Sequence, residues 1–226
     1  MFEKLIIQSL ILGYLFGSIP TGYLYAKAKN INILEFGSKN PGSTNIGRAL
    51  GKKSSHIVFV LDIIKIIIPI LILIIYTSHF LIILDISFLK YFLSKTLESK
   101  LIIIYTGLGG IIGHCFPIYS KFKNGGKGIS CTMGCILCFS PIYAILLFLI
   151  YKIVSKITKY VSLGSIIAEV SLFLSSVILS ILNIYPFNFE KNYLVIPGIF
   201  FICFICILRH KENIKRLING EESKIE

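Results

Sequence analysis

The segment between Gly37 and Arg48 combines the side chains and backbone features that bind phosphate groups. It reads Gly-Ser-Lys-Asn-Pro-Gly-Ser-Thr-Asn-Ile-Gly-Arg. Its glycines allow the backbone to approach a ligand closely, and successive backbone amides can form an anion-binding nest. The serine and threonine hydroxyls add donors, and Arg48 offers a bidentate fork for a phosphate. The same residue types also dominate ordinary turns, so this segment alone leaves both interpretations open.

A second segment, Gly113–Gly128, places glycines beside a histidine and a lysine. It ends in Gly-Gly-Lys-Gly, directly before an apolar run. We predict that this turn opens a helix, whose free amides and dipole favour anions. The turn is not a Walker A motif, because that motif requires Ser or Thr after the lysine. His114 lies near the end of an apolar run, where a histidine is often only a satisfied interfacial residue.

A third segment, Arg209–Leu217, follows the last apolar run. Its His210 and Asn213 are three residues apart, so they share one face of a helix. An ordinary basic flank of a membrane helix would explain the arginines and lysines, but not this histidine and asparagine. One anionic group does not easily explain three such segments. Together they indicate two phosphate-bearing ligands.

Membrane helices must position these segments. The chain has 226 residues, of which 55% are hydrophobic, and its mean hydropathy is +0.82. A soluble domain of this size cannot bury so much apolar surface. Its 23 basic residues outnumber the 11 acidic ones, and most of them lie in four polar places along the chain. That placement indicates a positive-inside membrane topology and not a nucleic-acid-binding surface.

We therefore predict an all-α, polytopic membrane protein in which residues 1–226 form one domain with a short charged tail at 219–226. If the basic segments face the cytoplasm, the charge rule gives about seven crossings, with the N-terminus outside. The apolar runs lie at approximately residues 4–26, 55–77, 79–93, 100–118, 129–152, 161–182 and 193–208.

Two of these runs need a special interpretation. A crossing at 79–93 would place the basic residues of 121–127 outside, so we expect an external or interfacial segment there. The run 129–152 is expected to form two short crossings that break near Ser140 and Pro141, because proline breaks a helix interior. Short helices are tolerated where they line a protein-buried cavity. A single kinked helix is the alternative.

A few polar side chains lie inside the apolar runs. Asp62 and Lys65 are three residues apart and are expected to pair, either to support the site or to contact substrate. Glu169 has no obvious local partner and is a candidate cavity residue. Cys203 and Cys206 have a spacing that a metal or redox site could use. The six cysteines nevertheless lie in apolar context without a His or acidic cluster, so we predict no metal and no cofactor.

The three polar segments, in this order and spacing, closely resemble the signature segments of the bacterial acyl-phosphate:glycerol-3-phosphate acyltransferase family (PlsY). Residues 17–22 and 161–165 resemble that family too, and the match covers most of the chain except roughly 79–100. The resemblance implies a seven-helix enzyme of the bacterial cytoplasmic (inner) membrane, with its active site facing the cytoplasm.

The resemblance also implies the reaction, which is the first step of phospholipid synthesis. A fatty acyl group passes from acyl phosphate to the sn-1 hydroxyl of glycerol 3-phosphate, giving lysophosphatidic acid and phosphate. The enzyme that forms acyl phosphate is a candidate partner. Carried over by position, the residues that hold glycerol 3-phosphate are Ser38, Arg48, Lys127, His210 and Asn213. Those around the acyl phosphate are Gly42, Thr44, Asn45 and His114. The catalytic candidates are Ser38, His114 and Lys127.

The residues favour direct attack by the glycerol hydroxyl, because acyl phosphate is already activated. No Gly-x-Ser-x-Gly elbow is present, and His56 precedes Asp62 by one residue too many for a His-x4-Asp motif. The proton acceptor is either the phosphate of the substrate or His114. Two other functions stay open: a transporter for small phosphate esters, whose helices are also often broken, and a membrane scaffold without activity.

Overall fold

The structure is a computed structural model that describes residues 2–77, 96–187 and 192–224. Within these ranges the chain forms ten α-helices and two short 3₁₀ helices, and it contains no β-strand. The predicted all-α class is therefore confirmed. The α-helices are α1 (Phe2–Gly17), α2 (Thr21–Lys27), α3 (Ser43–Leu50), α4 (Lys52–Thr77), α5 (Leu97–Cys115), α6 (Ile129–Phe139), α7 (Pro141–Thr158), α8 (Val161–Ile181), α9 (Ile196–Arg209) and α10 (Lys211–Ile218). The 3₁₀ helices are Ile118–Ser120 and Asn192–Leu194.

Five helical stretches in the described part of the chain are long and apolar enough to cross a bilayer. They are Phe2–Lys27, Lys52–Thr77, Leu97–Ser120, Pro141–Thr158 and Val161–Ile181. Two shorter apolar helices, α6 and α9, accompany them. Large apolar side chains also point outward, including Ile145, Leu149 and Ile153 along α7, as expected where lipid replaces water as the surroundings. A polytopic membrane fold is confirmed, whereas the exact number of crossings and the outside N-terminus stay predictions.

Helices α1 and α5 pack backbone to backbone through small residues. A β-carbon added at Gly13 of α1 would lie 2.0 Å from the carbonyl oxygen of Thr106, and one at Gly109 of α5 would lie 2.2 Å from that of Leu10. Only glycine fits at such distances. Small residues four apart on each helix are a recurrent device for close packing in membranes, where the hydrophobic effect does not drive helices together.

The predicted break near Ser140 and Pro141 is confirmed. Ser140 is extended, with φ −161° and ψ 108°, and its hydroxyl accepts a hydrogen bond from the backbone N–H of Tyr143 at 3.4 Å. The serine thus caps α7, and Pro141 occupies the first helical position, where no N–H is needed. The alternative of one kinked helix is wrong.

The short helix α6 lies inside the bundle, in contact with α4, α5 and α7. Most of its residues are buried, including polar Ser130 and Thr132. This matches the expectation that a short helix borders protein and not lipid. All six cysteines are buried free thiols that pack as small apolar residues. The predicted external segment at 79–93 lies outside the described residues.

Candidate active site

The three polar segments meet around one cavity of about 460 Å³. Eight of the nine residues predicted for the site line it, and His210 does not. The eight are Ser38, Gly42, Thr44, Asn45, Arg48, His114, Lys127 and Asn213. Ser38, Thr44 and Arg48 are exposed, so they mark the mouth of the cavity. The deeper walls, from α6, α7 and α8, include the apolar Ile136, Leu147 and Leu172.

The first polar segment forms a loop that ends at the start of α3. Asn45 ties this loop together: its side-chain oxygen accepts from the N–H of Ser38 at 3.0 Å, and its amide donates to the carbonyl of Phe36 at 2.9 Å. Asn45 is buried, and its side chain is committed to the loop, so its predicted contact with acyl phosphate stays a prediction.

The N-terminus of α3 offers free backbone donors. The N–H groups of Asn45 and Ile46 turn back to the carbonyl of Gly42, which leaves those of Ser43 and Thr44 for a ligand. Both of these residues line the cavity. The N–H of Gly42 itself is occupied by the side-chain oxygen of Asn40 at 2.9 Å. This helix start is suited to an anion through its donors and its dipole.

Lys127 connects the second polar segment to the third. Its Nζ donates to the side-chain oxygen of Asn213 on α10 at 2.7 Å. Burial lowers the pKa of Lys127 to about 8; Glu222 opposes this shift, whereas the nearby arginines add to it. In the described part of the chain no carboxylate pairs with Arg48, which leaves its guanidinium available to a ligand.

Glu222 was not predicted as a site residue, yet it organises this side of the mouth. One carboxylate oxygen accepts from the Asn213 amide at 2.8 Å and from the Ser162 hydroxyl at 2.9 Å, and the other accepts from Arg216 at 2.7 Å. Burial alone would raise the pKa of Glu222, but these hydrogen bonds outweigh it and hold that pKa below its usual range. The carboxylate therefore stays charged and fixes the orientation of the Asn213 amide.

His210 lies behind the cavity wall, between α9 and α10. It is 3% exposed, and its Nδ1 is 2.8 Å from the carbonyl oxygen of Cys206. Burial lowers the pKa of His210 to about 4, so the ring is neutral near pH 7. Its predicted contact with glycerol 3-phosphate stays a prediction.

A buried ion pair reaches across from α4 to His114 on α5. Lys65 Nζ lies 3.0 Å from Asp62 Oδ1, 3.0 Å from the carbonyl oxygen of Ile19 and 2.8 Å from His114 Nδ1. The hydroxyl of Thr21 also donates to Asp62. An ammonium group has three protons and here meets three acceptors, so Nδ1 of His114 must accept. This network assigns the ring proton to Nε2.

The loop before α6 packs directly on the imidazole of His114. A β-carbon at Gly126 would lie only 2.0 Å from Nε2. The N–H of Gly126 donates to the backbone oxygen of His114 at 3.0 Å. Arg209, at the end of α9, donates to the carbonyls of Gly125 at 2.8 Å and Gly126 at 3.1 Å and stacks on the ring of Phe116. Arg209 therefore clamps the loop that confines the catalytic candidate.

Asp62, His114 and Cys131 bring three potential metal ligands within 4.8 Å of one another. The ammonium of Lys65 already contacts both the Asp62 carboxylate and the His114 ring, as described above. A metal ion would have to displace that cation. The donor set therefore suits an ion pair better than a metal, and the absence of a metal stays a prediction.

The predicted pairing of Asp62 with Lys65 is confirmed, but sequence reasoning missed other contacts and residues that build the site. Asp62 and Lys65 were recognised as a pair, but nothing in the pattern linked them to His114, which lies 49 residues after Lys65. Arg209 looked like a membrane-flanking charge. Nothing in the sequence singled out Glu222, which follows another glutamate, Glu221, in the charged tail.

The cavity of this helical membrane bundle joins a cationic, amide-rich mouth to an apolar interior. These features are typical of membrane-embedded enzymes that act on phosphate-bearing molecules with alkyl chains. Residues 7–220 match the family described as "Glycerol-3-phosphate acyltransferase". The chain belongs to this family, which confirms the resemblance seen in its motifs.

Individual relatives agree. The chain is 34% identical over 227 residues to a glycerol-3-phosphate acyltransferase of Staphylococcus aureus strain Newman, covering 98% of both chains. It is 36% identical over 214 residues to that of Aquifex aeolicus strain VF5, covering 95% of this chain and 96% of the relative.

Two solved structures of the integral membrane glycerol 3-phosphate acyltransferase PlsY (YgiH) share the fold. The glycerol 3-phosphate form matches with TM-score 0.76 and the lysophosphatidic acid form with TM-score 0.74, both at 33% identity. Each comparison covers 98% of this chain, and 96% and 95% of the respective solved chains. The chain is thus a multi-pass bacterial membrane protein of an acyltransferase family.

Proposed function

We propose that this enzyme transfers a fatty acyl group from acyl phosphate to the sn-1 hydroxyl of glycerol 3-phosphate, releasing lysophosphatidic acid and phosphate. One observation carries the proposal: a single cavity joins two sets of anion-binding groups to an apolar groove. One set is the start of α3, and the other is Lys127, Arg48 and Asn213. The related structures with glycerol 3-phosphate and lysophosphatidic acid support the acceptor and the product.

Different parts of the cavity suit the two substrates. Glycerol 3-phosphate carries only a small polar body, so it suits the mouth, where Arg48 and Lys127 supply positive charge. Acyl phosphate suits the α3 amides with its phosphate and the groove between α6, α7 and α8 with its alkyl chain. Holding both phosphates brings the acceptor hydroxyl to the acyl carbon, and the reaction becomes effectively intramolecular.

The chemistry needs no covalent intermediate, because the phosphate is a good leaving group. The glycerol hydroxyl attacks the acyl carbon, a C–O bond forms, and the bond from that carbon to the phosphate oxygen breaks. Backbone amides and Lys127 stabilise the negative charge that develops on the departing phosphate.

The hydrogen bonds around His114 indicate whether this histidine or the phosphate of the acyl donor accepts the proton of the glycerol hydroxyl. Since Lys65 donates to Nδ1, the proton resides on Nε2, and the ring is a hydrogen-bond donor. To act as a base at Nε2, the ring would have to place a proton on Nδ1, against the ammonium of Lys65. We therefore assign His114 the role of donor to the reacting oxygens. The phosphate of the acyl donor takes the hydroxyl proton.

The decisive assay uses purified protein, synthetic acyl phosphate and radiolabelled glycerol 3-phosphate. Label that becomes extractable into organic solvent, together with stoichiometric phosphate release, is the expected result. Uptake of label into vesicles without conversion would instead indicate a transporter. Replacing Arg48 and Lys127 together by alanine should abolish turnover, and activity that survives this change would overturn the assignment of the site.

We further propose that the site faces the cytoplasm of the bacterial inner membrane, where the enzyme that forms acyl phosphate is a candidate partner. Cysteines introduced at exposed Lys39, Lys123 and Lys215 report on the three polar segments. The native cysteines are all buried, so background labelling is low. A membrane-impermeant thiol reagent should label all three positions in inverted vesicles and none in intact cells. Any other pattern contradicts the shared cytoplasmic face.

A further inference from the structure

A loop of exposed aromatic and basic side chains follows α5. It comprises residues 116–123, and we call it the aromatic loop. Its large apolar side chains are between 41% and 63% exposed; they are Phe116, Ile118, Tyr119 and Phe122. Neighbouring apolar side chains on a protein surface mark an interaction site. The proposed reaction uses none of them, so the aromatic loop is a candidate surface for another contact.

The backbone of the aromatic loop satisfies its own donors. The N–H of Lys121 donates to the carbonyl of Ile118 at 3.0 Å, and that of Phe122 donates to the carbonyl of Pro117 at 2.9 Å. The N–H groups on either side of this pair also bond within the loop. Backbone donors without partners keep most irregular loops out of a bilayer. Four successive N–H groups are satisfied here, so this loop can enter the lipid headgroup region without that cost.

The aromatic loop lies where a membrane span ends. The stretch Leu97–Ser120 is long and apolar enough to cross a bilayer. The loop therefore begins at the boundary between hydrocarbon and water. Aromatic rings are enriched at this boundary, because they combine an apolar body with some polar character. This position favours a lipid over a soluble protein as the occupant of the surface.

The charges of the aromatic loop complement anionic headgroups. Lys121 and Lys123 flank Phe122 and are both exposed. The sequence has no acidic residue between Glu98 and Glu169, and among the described residues no carboxylate pairs with either lysine. Each lysine close to an anionic membrane surface strengthens binding about fivefold. The loop therefore suits anionic phospholipids better than zwitterionic ones.

The aromatic loop is continuous with the residues that confine His114. Only Asn124 separates it from the glycine pair that ends at Gly126. Arg209 bridges the two parts, because it stacks on Phe116 and donates to the carbonyl of Gly126. A contact that holds the aromatic loop in place therefore also holds the glycine that packs on the imidazole.

We propose that the aromatic loop docks on anionic phospholipid headgroups of the surrounding membrane, and that docking holds Gly126 against His114. The rings of Tyr119 and Phe122 enter the headgroup region, and the two lysines bind lipid phosphates. Anionic lipid is thus a positive regulator of the enzyme. Docking is independent of the proposed reaction, and only its effect on turnover rests on that reaction.

Tryptophan fluorescence tests the docking. The chain has no tryptophan, so Phe122→Trp gives it a single indole within the loop, and Tyr119→Trp is a second reporter should the first fold poorly. Each variant is reconstituted in nanodiscs of phosphatidylcholine alone or mixed with phosphatidylglycerol. The emission maximum and the quenching by brominated lipid are measured. Ile145→Trp, on the exposed apolar face of α7, and Glu221→Trp, in the charged tail, serve as references for an indole in lipid and in water.

Phosphatidylglycerol should shift the emission of both loop reporters to the blue and increase their quenching, and added salt should weaken the effect by screening. Lys121→Gln together with Lys123→Gln should lower the ratio of docked to undocked loop by about tenfold or more. The matched control is Lys156→Gln together with Lys159→Gln, which removes two exposed lysines from the end of α7. This control should leave the response to phosphatidylglycerol unchanged.

Turnover gives the second readout. The kcat of the native protein should be about threefold to tenfold higher in nanodiscs with phosphatidylglycerol, comparable to the effect of one lysine at an anionic surface. The protein without Lys121 and Lys123 should lose this gain. The protein without Lys156 and Lys159 should keep it.

The outcomes separate docking, regulation and the proposed function. Loop reporters that stay in water with both lipid compositions would refute docking, and equal burial in both would refute the selectivity for anionic lipid. Reporters that move only after a soluble protein is added would assign the surface to that protein instead. Docking without any change in kcat would refute the regulatory role. If the native protein yields no product in any nanodisc, the proposed function fails, whereas the fluorescence still decides whether the loop docks.

Discussion

Replacing Lys65 by methionine removes the ammonium that connects Asp62 to His114. Methionine fills a similar volume, so the main change is electrostatic. Asp62 is 2% exposed and Lys65 is 5% exposed, so the substitution leaves an uncompensated carboxylate inside the bundle. Breaking a buried ion pair in this way costs about 3–5 kcal/mol. We expect the melting temperature in detergent to fall by on the order of 10 °C.

The Lys65→Met substitution should also lower activity, for a reason separate from its effect on stability. Without the Lys65 donor, nothing described here holds the proton of His114 on Nε2, and the ring loses its fixed role as a donor. Loss of one preorganised donor typically lowers kcat by about 10²–10³-fold. The assay is kcat with acyl phosphate, measured well below the melting temperature and normalised to monodisperse protein on size exclusion.

The double variant Asp62→Asn, Lys65→Met separates the two effects. It has no unpaired charge, so it should be more stable than either single variant, because the two sites are directly coupled. Its activity should stay low, since His114 still lacks its partner. A Lys65→Met protein as stable as the native one would refute the ion-pair reasoning. A double variant with restored activity would refute the role assigned to His114.

Three further predictions concern the mouth and the loop before α6. Because the pKa of Lys127 is lowered to about 8, the lysine loses its charge as pH rises through that value, and kcat/KM for glycerol 3-phosphate should fall above it. Lys127→Arg should abolish this fall in a pH–rate profile, since a guanidinium stays charged; the same fall in both proteins would contradict the assignment. Gly126→Ala places a β-carbon 2.0 Å from His114 Nε2 and should lower kcat by about 10²-fold, and this overpacking should also lower the melting temperature by several degrees; native kcat would show that the imidazole can move freely. Arg209→Lys lacks the planar guanidinium that bridges the two carbonyls and stacks on Phe116, and it should lower kcat about tenfold; unchanged steady-state rates would mean that other contacts hold the loop.

Much of the fold could be predicted because a membrane helix appears in the sequence as a long continuous run of apolar residues. The break at Ser140 and Pro141 was predicted from the proline and from the even number of crossings that must separate two basic segments on the same side of the membrane. The convergence of the three polar segments follows from their common basic flanks. These features depend on composition and spacing within short windows, which a sequence displays directly.

The contacts that tune the site could not be predicted, because they join residues that only tertiary packing brings together. Lys65 meets His114 because α4 packs beside α5, and no spacing rule encodes that contact. Glu222 reaches Ser162 across 60 residues. Asn45 holds the loop with its amide, a role that its motif did not indicate, and its expected contact with the ligand stays a prediction. Motif reasoning assigns polar residues to ligands by default and underestimates those that orient their neighbours.

The charge balance of the mouth explains why it suits phosphates and not carboxylates alone. Arg209 donates hydrogen bonds to the loop before α6, and the charge of Arg216 is neutralised by Glu222. The positive charge left for ligands therefore resides on Arg48 and Lys127. Since burial weakens the charge of Lys127, a dianionic phosphate stabilises the protonated lysine more than a monoanion can. Binding of a dianion and protonation of Lys127 are therefore expected to favour each other, and a bound dianion should raise the pKa of this lysine.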